Sequence, residues 1–129
     1  MTASKKILII DDEEQFREIF GKRLEAEGFI VETAENGMEG LRRAKENPPD
    51  IILLDVAMPG LDGIETLEKF KADPAAKNLK IAFLTAIGGN AIEEERINNH
   101  YAHEFGAMGY IKKTDDMGAV MTQIKQLLT

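Results

Sequence analysis

The chain has 129 residues, of which 43% are hydrophobic and 30% are charged, and this composition is typical of one folded domain and excludes a disordered chain. It contains no cysteine, so disulfide frameworks, thiolate metal sites and cysteine nucleophiles are excluded. The formal net charge of −7 argues against direct nucleic-acid binding, and the lack of a long apolar stretch argues against membrane insertion. We therefore expect one cytoplasmic domain over residues 1–129.

Short apolar runs alternate with amphipathic segments along the whole chain. Five runs have the composition of buried β-strands, at residues 7–10, 29–33, 51–54, 81–84 and 110–111. Apolar residues at helical spacing follow each run and predict helices over residues 16–24, 38–44, 64–70, 97–105 and 117–128. Gly28 is placed to end the first helix, the Pro48-Pro49 pair cannot continue the second, and the third must end before Pro74.

The strict alternation of strands and helices predicts an α/β fold, in which a five-stranded parallel sheet is doubly wound with helices on both faces. Right-handed crossovers limit the possible topologies, and the strand order 2-1-3-4-5 is common for five such units. Asp115 and Asp116 suit the N-terminus of the last helix, because acidic side chains accept hydrogen bonds from the first free N–H groups.

The polar residues directly after the apolar runs are the candidate functional residues, because ligands of such sheets bind at the carboxyl ends of the strands. They are Asp11 and Asp12 after the first run, Asp55 after the third, Thr85 after the fourth, and Lys112 and Lys113 after the fifth. The four strands concerned are neighbours in the predicted order. We therefore expect three carboxylates, a hydroxyl and an ammonium to converge on one edge.

This combination of groups points to a magnesium site that handles a phosphoryl group. Three carboxylates in close contact repel one another, so at least one pKa rises unless a cation is present. A hard divalent cation resolves the repulsion, and oxygen ligands without thiolate or imidazole favour Mg²⁺. Thr85 and a lysine are placed to hold phosphoryl oxygens that the metal does not reach. The arrangement suits phosphoryl transfer to a carboxylate.

Each of these residues also has an ordinary structural interpretation. Asp12, with Gln15 three residues later, matches a capping box for the first helix, and Asp55 is acceptable as a simple loop or cap residue. Thr85 is a normal strand residue, and a lysine at a strand end is usually a solvated charge. These interpretations do not explain why four of the five strand ends carry compatible groups. The joint functional interpretation is therefore favoured.

Four segments, ILIIDDEE, LLDVAMPGLDG, FLTA and GAMGYIKK, resemble in order the signature segments of bacterial response-regulator receiver domains, and the resemblance covers nearly the whole chain. The resemblance implies that Asp55 is the phosphoacceptor. It also implies that Asp11 and Asp12 bind Mg²⁺, with Asp12 as the direct ligand. The Asp55 carboxylate and the Ala57 backbone carbonyl then complete the protein ligands.

The same resemblance implies a conformational switch and selects between the two lysines. Thr85 is the switch hydroxyl, and Tyr110 is the aromatic residue that reorients with it. The family places its lysine three residues after this aromatic position, which selects Lys113. Alternation along the strand puts Lys112 on the opposite face.

The implied function is that of a stand-alone response regulator, a CheY-like receiver without an output domain. It accepts a phosphoryl group from a sensor histidine kinase or a histidine phosphotransfer protein, with Mg²⁺ as its cofactor. It assists its own phosphorylation and dephosphorylation but is not a metabolic enzyme. Phosphorylation then changes the surface formed by the helix before the fifth strand, that strand and the last helix, which a downstream protein target recognises.

The chain departs from the family pattern at two places. Thr114 follows Lys113 where the family often has a proline in a cis peptide, and a cis bond before another residue costs about 2.5–4 kcal/mol. Thr85 and Lys113 are 28 positions apart, which is longer than the usual receiver spacing. The surface that signals the phosphorylation state is therefore expected to be unusual.

Three other classes of protein compete with this interpretation. A flavodoxin-like cofactor carrier needs a phosphate loop rich in Ser, Thr and Gly after the first strand, where this chain has DDEE. An aspartyl-phosphate hydrolase needs an additional domain or cap to bind its substrate. A vestigial, phosphorylation-independent interaction domain of the same fold remains as the alternative, and a phosphorylation assay distinguishes it.

Overall fold

A five-stranded parallel sheet organises the structure, a computed structural model that describes residues 4–55, 63–85, 108–113 and 116–128. In chain order the elements are β1 (Lys6–Ile10), α1 (Glu14–Ala26), β2 (Ile30–Ala34), α2 (Gly37–Glu46), β3 (Ile51–Asp55), α3 (Gly63–Ala72), β4 (Ile81–Thr85), β5 (Tyr110–Lys112) and α4 (Met117–Leu128). The helix expected over residues 97–105 lies outside the described residues.

The strand order β2-β1-β3-β4-β5 confirms the predicted order, and every neighbouring pair of strands is parallel. In the pairing of β1 with β3, Ile10 lies opposite Leu54, so the next residues, Asp11 and Asp55, are level with each other. Because all five strands run in one direction, the residues that follow them meet on one side. We call this side the carboxyl edge, and its residues are Asp11, Asp12, Asp55 and Lys113.

Apolar clusters cover both faces of the sheet. Ile7 and Ile9 of β1 pack in the cluster that includes residues of α1 and α4, whereas Leu8 and Ile10 pack in the cluster that includes residues of α2 and α3. All four side chains are fully buried. The first apolar run is therefore a strand covered on both faces, as its composition predicts.

The end of α1 explains a one-residue error in the predicted second strand. Gly28 has a φ of 99°, a left-handed conformation that favours glycine. Its N–H donates to the Glu25 carbonyl at 3.0 Å, and the Phe29 N–H donates to the Leu24 carbonyl at 3.1 Å. Phe29 thus belongs to the helix end. The strand runs over Ile30–Ala34 instead of residues 29–33.

Side-chain caps begin two other helices. Asn36 accepts a hydrogen bond from the Glu39 N–H at 2.8 Å at the start of α2, and Asp116 accepts one from the Ala119 N–H at 2.9 Å at the start of α4. The expectation for Asp116 is thereby confirmed, while Asp115 lies outside the described residues. In the described part of the chain, no helix has the length and apolarity needed to cross a membrane.

Candidate functional site at the carboxyl edge

The carboxyl edge brings together the three carboxylates that the strand ends predict. Asp11, Asp12 and Asp55 each offer one carboxylate oxygen, and these oxygens lie within 4.8 Å of one another. Asp11 is fully buried and Asp55 is 3% exposed, whereas Asp12 is exposed. The parallel register of β1 and β3 produces this arrangement, since it puts the first residue after β1 level with the last residue of β3.

Hydrogen bonds from three parts of the chain hold Asp11 in place. Its backbone N–H donates to the Ala34 carbonyl at 3.1 Å. Its carbonyl accepts a hydrogen bond from the Arg17 guanidinium at 2.7 Å. Its carboxylate Oδ1 accepts a hydrogen bond from the Glu13 N–H at 2.8 Å. The orientation of the carboxylate is therefore fixed by both its backbone and one of its two oxygens.

The capping box predicted for Asp12 and Gln15 is wrong. The N-cap residue of α1 is Glu13, and the helix has no capping hydrogen bond from that side chain. Asp11 accepts a hydrogen bond from the Glu13 N–H instead, because its buried carboxylate lies directly before the helix. The Asp12 side chain is exposed at the carboxyl edge.

Lys113 extends from the end of β5 into the group of carboxylates. Its ammonium lies 2.5 Å from Asp11 Oδ2, 3.3 Å from Asp55 Oδ2 and 3.5 Å from Glu13 Oε1. The lysine side chain is only 8% exposed, and charges interact more strongly where little water screens them. The structure thus places Lys113, the lysine that the resemblance selects, in contact with the predicted phosphoacceptor.

Burial raises the pKa of Asp11 above its ordinary value, and the charge of Asp55 adds to this rise. The Lys113 ammonium and the Glu13 N–H oppose the rise without cancelling it. Burial acts to lower the pKa of Lys113, but its contacts with Asp11 and Asp55 outweigh burial and raise that pKa. The pKa of Asp11 thus rises as expected for one of the carboxyls, but burial is the larger cause and repulsion by Asp55 the smaller one.

The residues at the carboxyl edge fit Mg²⁺. Asp11, Asp12 and Asp55 each offer a carboxylate oxygen, the kind of hard ligand that this ion prefers. Asp11 Oδ2 is buried and already contacts one cation, the Lys113 ammonium, at 2.5 Å, so this oxygen is placed to bind positive charge.

The other predicted site residues are described only in part. Thr85 ends β4 and pairs with Lys112 in the parallel register, and Tyr110 begins β5. The side chains of Thr85 and Tyr110 are outside the description, as are Ala57 and Thr114 altogether. The expected roles of these residues therefore stay predictions.

Three residues at the start of α1 contact the site, although they do not follow a strand and the strand-end argument therefore does not find them. Glu13 and Phe16 contact the Lys113 ammonium, and Arg17 binds the Asp11 carbonyl. The sequence feature that could have identified them is their place at the start of the helix that follows β1 at the carboxyl edge. The apolar helical pattern assigns Phe16 to the core, which is also where part of its side chain packs.

Comparison with known proteins identifies the class. Residues 7–125 match the family model described as the response regulator receiver domain, so the chain belongs to this family. The family takes part in two-component and phosphorelay signalling, in which aspartate phosphorylation is typical. The five-stranded sheet with the order 2-1-3-4-5 agrees with that family.

The chain is similar over its whole length to receivers of the CheY-like class. It is 36% identical to the chemotaxis protein CheY of Halobacterium salinarum, a match that covers 98% of both chains. It is 31% identical to sporulation initiation phosphotransferase F of Bacillus subtilis, covering 97% of this chain and 94% of the relative. The structure of the chemotaxis protein CheY4 of Vibrio cholerae has a TM-score of 0.83 at 25% identity, covering 97% of this chain and 99% of that one. Other relatives are longer transcriptional regulatory proteins, of which the chain spans about half.

Proposed function

We propose that the protein is a stand-alone cytoplasmic response regulator in which Asp55 accepts a phosphoryl group from a sensor histidine kinase or a histidine phosphotransfer protein. The observation that carries the proposal is the position of the Asp55 carboxylate, which is buried beside Asp11 and Asp12 and contacted by Lys113. The similarity to the halobacterial CheY, which is matched over 98% of its own length, supports a CheY-like receiver.

The transfer forms one bond and breaks one bond. A carboxylate oxygen of Asp55 attacks the phosphorus of a phosphohistidine, the P–N bond breaks, and an acyl phosphate forms. The electron pair of the broken bond stays on the imidazole nitrogen, which takes a proton from solvent. With acetyl phosphate as the donor, a P–O bond breaks and acetate leaves. The work of the protein is positioning and charge neutralisation, as in other phosphoryl transfers.

Asp11, Asp12, the Asp55 carboxylate and the Ala57 backbone carbonyl are the groups that we propose hold Mg²⁺. The bound ion neutralises charge on the carboxylates and on the phosphoryl oxygens. Asp11 contributes a carboxylate whose backbone is already held by Arg17, so little ordering is needed when it binds a cation. Burial raises the pKa of Asp11, and the charge of Asp55 adds a smaller contribution, which a bound cation would offset.

Three residues respond to the new phosphoryl group in this proposal. The Lys113 ammonium, already 3.3 Å from Asp55, forms an ion pair with a phosphoryl oxygen, and the Thr85 hydroxyl donates to another. Tyr110 reorients with Thr85. The phosphorylated state favours one existing conformer through these contacts and changes the surface around β5 and α4 that a downstream protein target recognises.

The test measures the intact mass of the protein after incubation with acetyl phosphate and Mg²⁺. We expect one phosphoryl adduct on the wild type and none on Asp55→Asn, and we expect chelation of Mg²⁺ to prevent the adduct. Asp73→Asn is the matched control, because Asp73 pairs with Lys45 on α2 and takes no part in the proposed site. That variant keeps the adduct.

Two outcomes contradict the proposal. A folded wild-type protein that gains no adduct favours the vestigial interaction domain, which keeps the fold but not the chemistry. An adduct that persists in Asp55→Asn shows that another residue is the acceptor.

A further inference from the structure

The Lys113 ammonium has an aromatic neighbour in addition to its carboxylates. Its nitrogen lies 4.5 Å from the centroid of the Phe16 ring, within the range of a cation–π interaction. The low exposure of the lysine side chain, 8%, strengthens this attraction because little water competes for the ammonium. Phe16 thus links helix α1 to a residue that follows β5, near the other end of the chain.

The core holds the Phe16 ring in this position. Phe20 follows one helical turn later and stacks on it, with ring centroids 4.9 Å apart and an interplanar angle of 16°. Phe20 is 5% exposed and belongs to the apolar cluster that also contains Leu24 and Ile124. The place of the Phe16 ring is therefore set by packing and does not depend on the charges at the carboxyl edge.

This independence matters during the proposed reaction. Two carboxylates that contact Lys113, those of Asp11 and Asp55, are the groups that phosphoryl transfer and cation binding alter. Asp55 becomes an acyl phosphate, and Asp11 takes part in binding the cation. The Phe16 ring is a partner of the ammonium that neither event changes. It is able to keep the lysine at the carboxyl edge while the ion pairs rearrange.

We propose that Phe16 is a positioning residue that holds the Lys113 ammonium toward Asp55 during phosphoryl transfer, and this inference rests on the proposed role of Asp55. Phe16 touches the lysine and not the reacting atoms, so it acts through Lys113. Its contribution comes from the negative face of the aromatic ring, which an aliphatic side chain of similar size lacks.

The test compares Phe16→Leu with Phe16→Trp in the full-length protein. The readout is the rate of adduct formation from acetyl phosphate at saturating Mg²⁺, followed by intact mass. We expect Phe16→Leu to slow the reaction roughly three- to tenfold and Phe16→Trp to keep the wild-type rate, because tryptophan presents the strongest ring face. Phe29→Leu is the matched control, since Phe29 packs against the same apolar cluster. We expect this control to keep the wild-type rate.

A double-mutant cycle shows whether Phe16 acts through the lysine. In a Lys113→Met background we expect Phe16→Leu to slow the residual reaction little or not at all. An equal slowing with and without Lys113 overturns the proposal. So does a wild-type rate in Phe16→Leu, or an equal loss in the leucine and tryptophan variants. Thermal melts of each variant establish that the protein compared is folded.

A spectroscopic measurement separates this proposal from that for Asp55. The ring current of Phe16 moves the proton resonances of the Lys113 Cε group upfield, and we expect this shift to persist after phosphorylation and to vanish in Phe16→Leu. A wild-type protein that shows the shift but gains no adduct overturns the proposed role of Asp55, and with it the role of Phe16 in the transfer. An adduct that forms at the same rate in a protein without the shift overturns only the role of Phe16.

Discussion

The interior of the sheet and its carboxyl edge both contain deeply buried side chains, but these side chains are of opposite kinds. Ile9 and Leu53, in the centre of β1 and β3, are fully buried and apolar, so each gains free energy from leaving water. Asp11 and Asp55, each two residues further on, are almost as deeply buried but carry carboxylates. Burial raises the pKa of Asp11, which is a direct sign of its cost. Burial of apolar side chains in the interior stabilises the fold, whereas burial of carboxylates at the edge costs part of that stability.

Addition of Mg²⁺ is expected to have the largest effect on stability, because it acts on the carboxylates at the edge and not on the apolar interior. An ion that binds the folded protein at the carboxyl edge raises the free energy of unfolding by about 2.7 kcal/mol when its concentration is 100 times its Kd. Thermal melts with increasing Mg²⁺ measure this effect, and Asp55→Asn is expected to reduce it. Equal stabilisation of the wild type and Asp55→Asn would contradict the proposed ligand set.

Gly40→Ala is expected to show how tightly the interior is packed. Gly40 lies in α2 directly over Ile10 of β1, and an added Cβ would lie 2.7 Å from Ile10 Cγ1 and closer still to its Cδ1. Ile10 is fully buried, so it has little room to move. We expect urea unfolding to show a free energy of unfolding that is lower by about 1–2 kcal/mol. This is the net value, which already includes the gain from the higher helix propensity of alanine. An unchanged stability would show that this layer is able to adjust.

Asp11→Asn is expected to stabilise the folded protein in the absence of Mg²⁺. The substitution removes a buried charge whose ionisation is opposed by its surroundings, while Lys113 keeps its contacts with Asp55 and Glu13. We expect the free energy of unfolding at pH 7 to rise by on the order of 1 kcal/mol. A lower stability would mean that the ion pair with Lys113 outweighs the cost of burial.

The pH dependence of this difference checks its cause. Because the pKa of Asp11 is raised in the folded state, its contribution to stability is complete below the ordinary value of 3.8 and is lost as the pH rises through the folded pKa. The advantage of Asp11→Asn is therefore absent at low pH and grows toward neutrality. The pKa of Lys113 is also raised, so its contribution persists below 10.5 and is lost only above that range. A difference that does not vary from pH 4 to 7 would contradict the explanation.

Gly21→Ala is expected to have the smallest effect and the opposite sign to Gly40→Ala. Gly21 lies inside α1, where an added Cβ would meet Val31 Cγ1 at 3.5 Å, an ordinary van der Waals contact. Alanine is a better helix former than glycine, so we expect a gain of about 0.5–1 kcal/mol in the same urea assay. The pair of variants thus compares a crowded helix interface with a looser one near the sheet edge. A loss on Gly21→Ala would mean that α1 packs more tightly than its contacts indicate.

Much of the fold follows from local patterns in the sequence. The run at residues 7–10 is apolar at every position because both faces of β1 are covered, and that pattern identifies a buried strand without knowledge of its neighbours. Gly28 predicts the end of α1 because its backbone conformation favours glycine. Asp11, Asp12 and Asp55 are found by their positions at strand ends, since parallel strands align their carboxyl ends, whereas the choice of Lys113 over Lys112 needs the family resemblance as well.

Only the tertiary structure decides what these residues contact and how deeply they are buried. Lys113 meets Glu13 across 100 positions of sequence and Asp55 across 58, distances over which no local pattern operates. For the same reason the helical pattern places Phe16 in the core but does not show its contact with the Lys113 ammonium. Asp12 and Asp11 look alike in sequence, but the packing of β1 against β2 and the start of α1 buries Asp11 and leaves Asp12 exposed. Local spacing determines which groups reach the carboxyl edge, and packing between distant elements determines their charges and partners there.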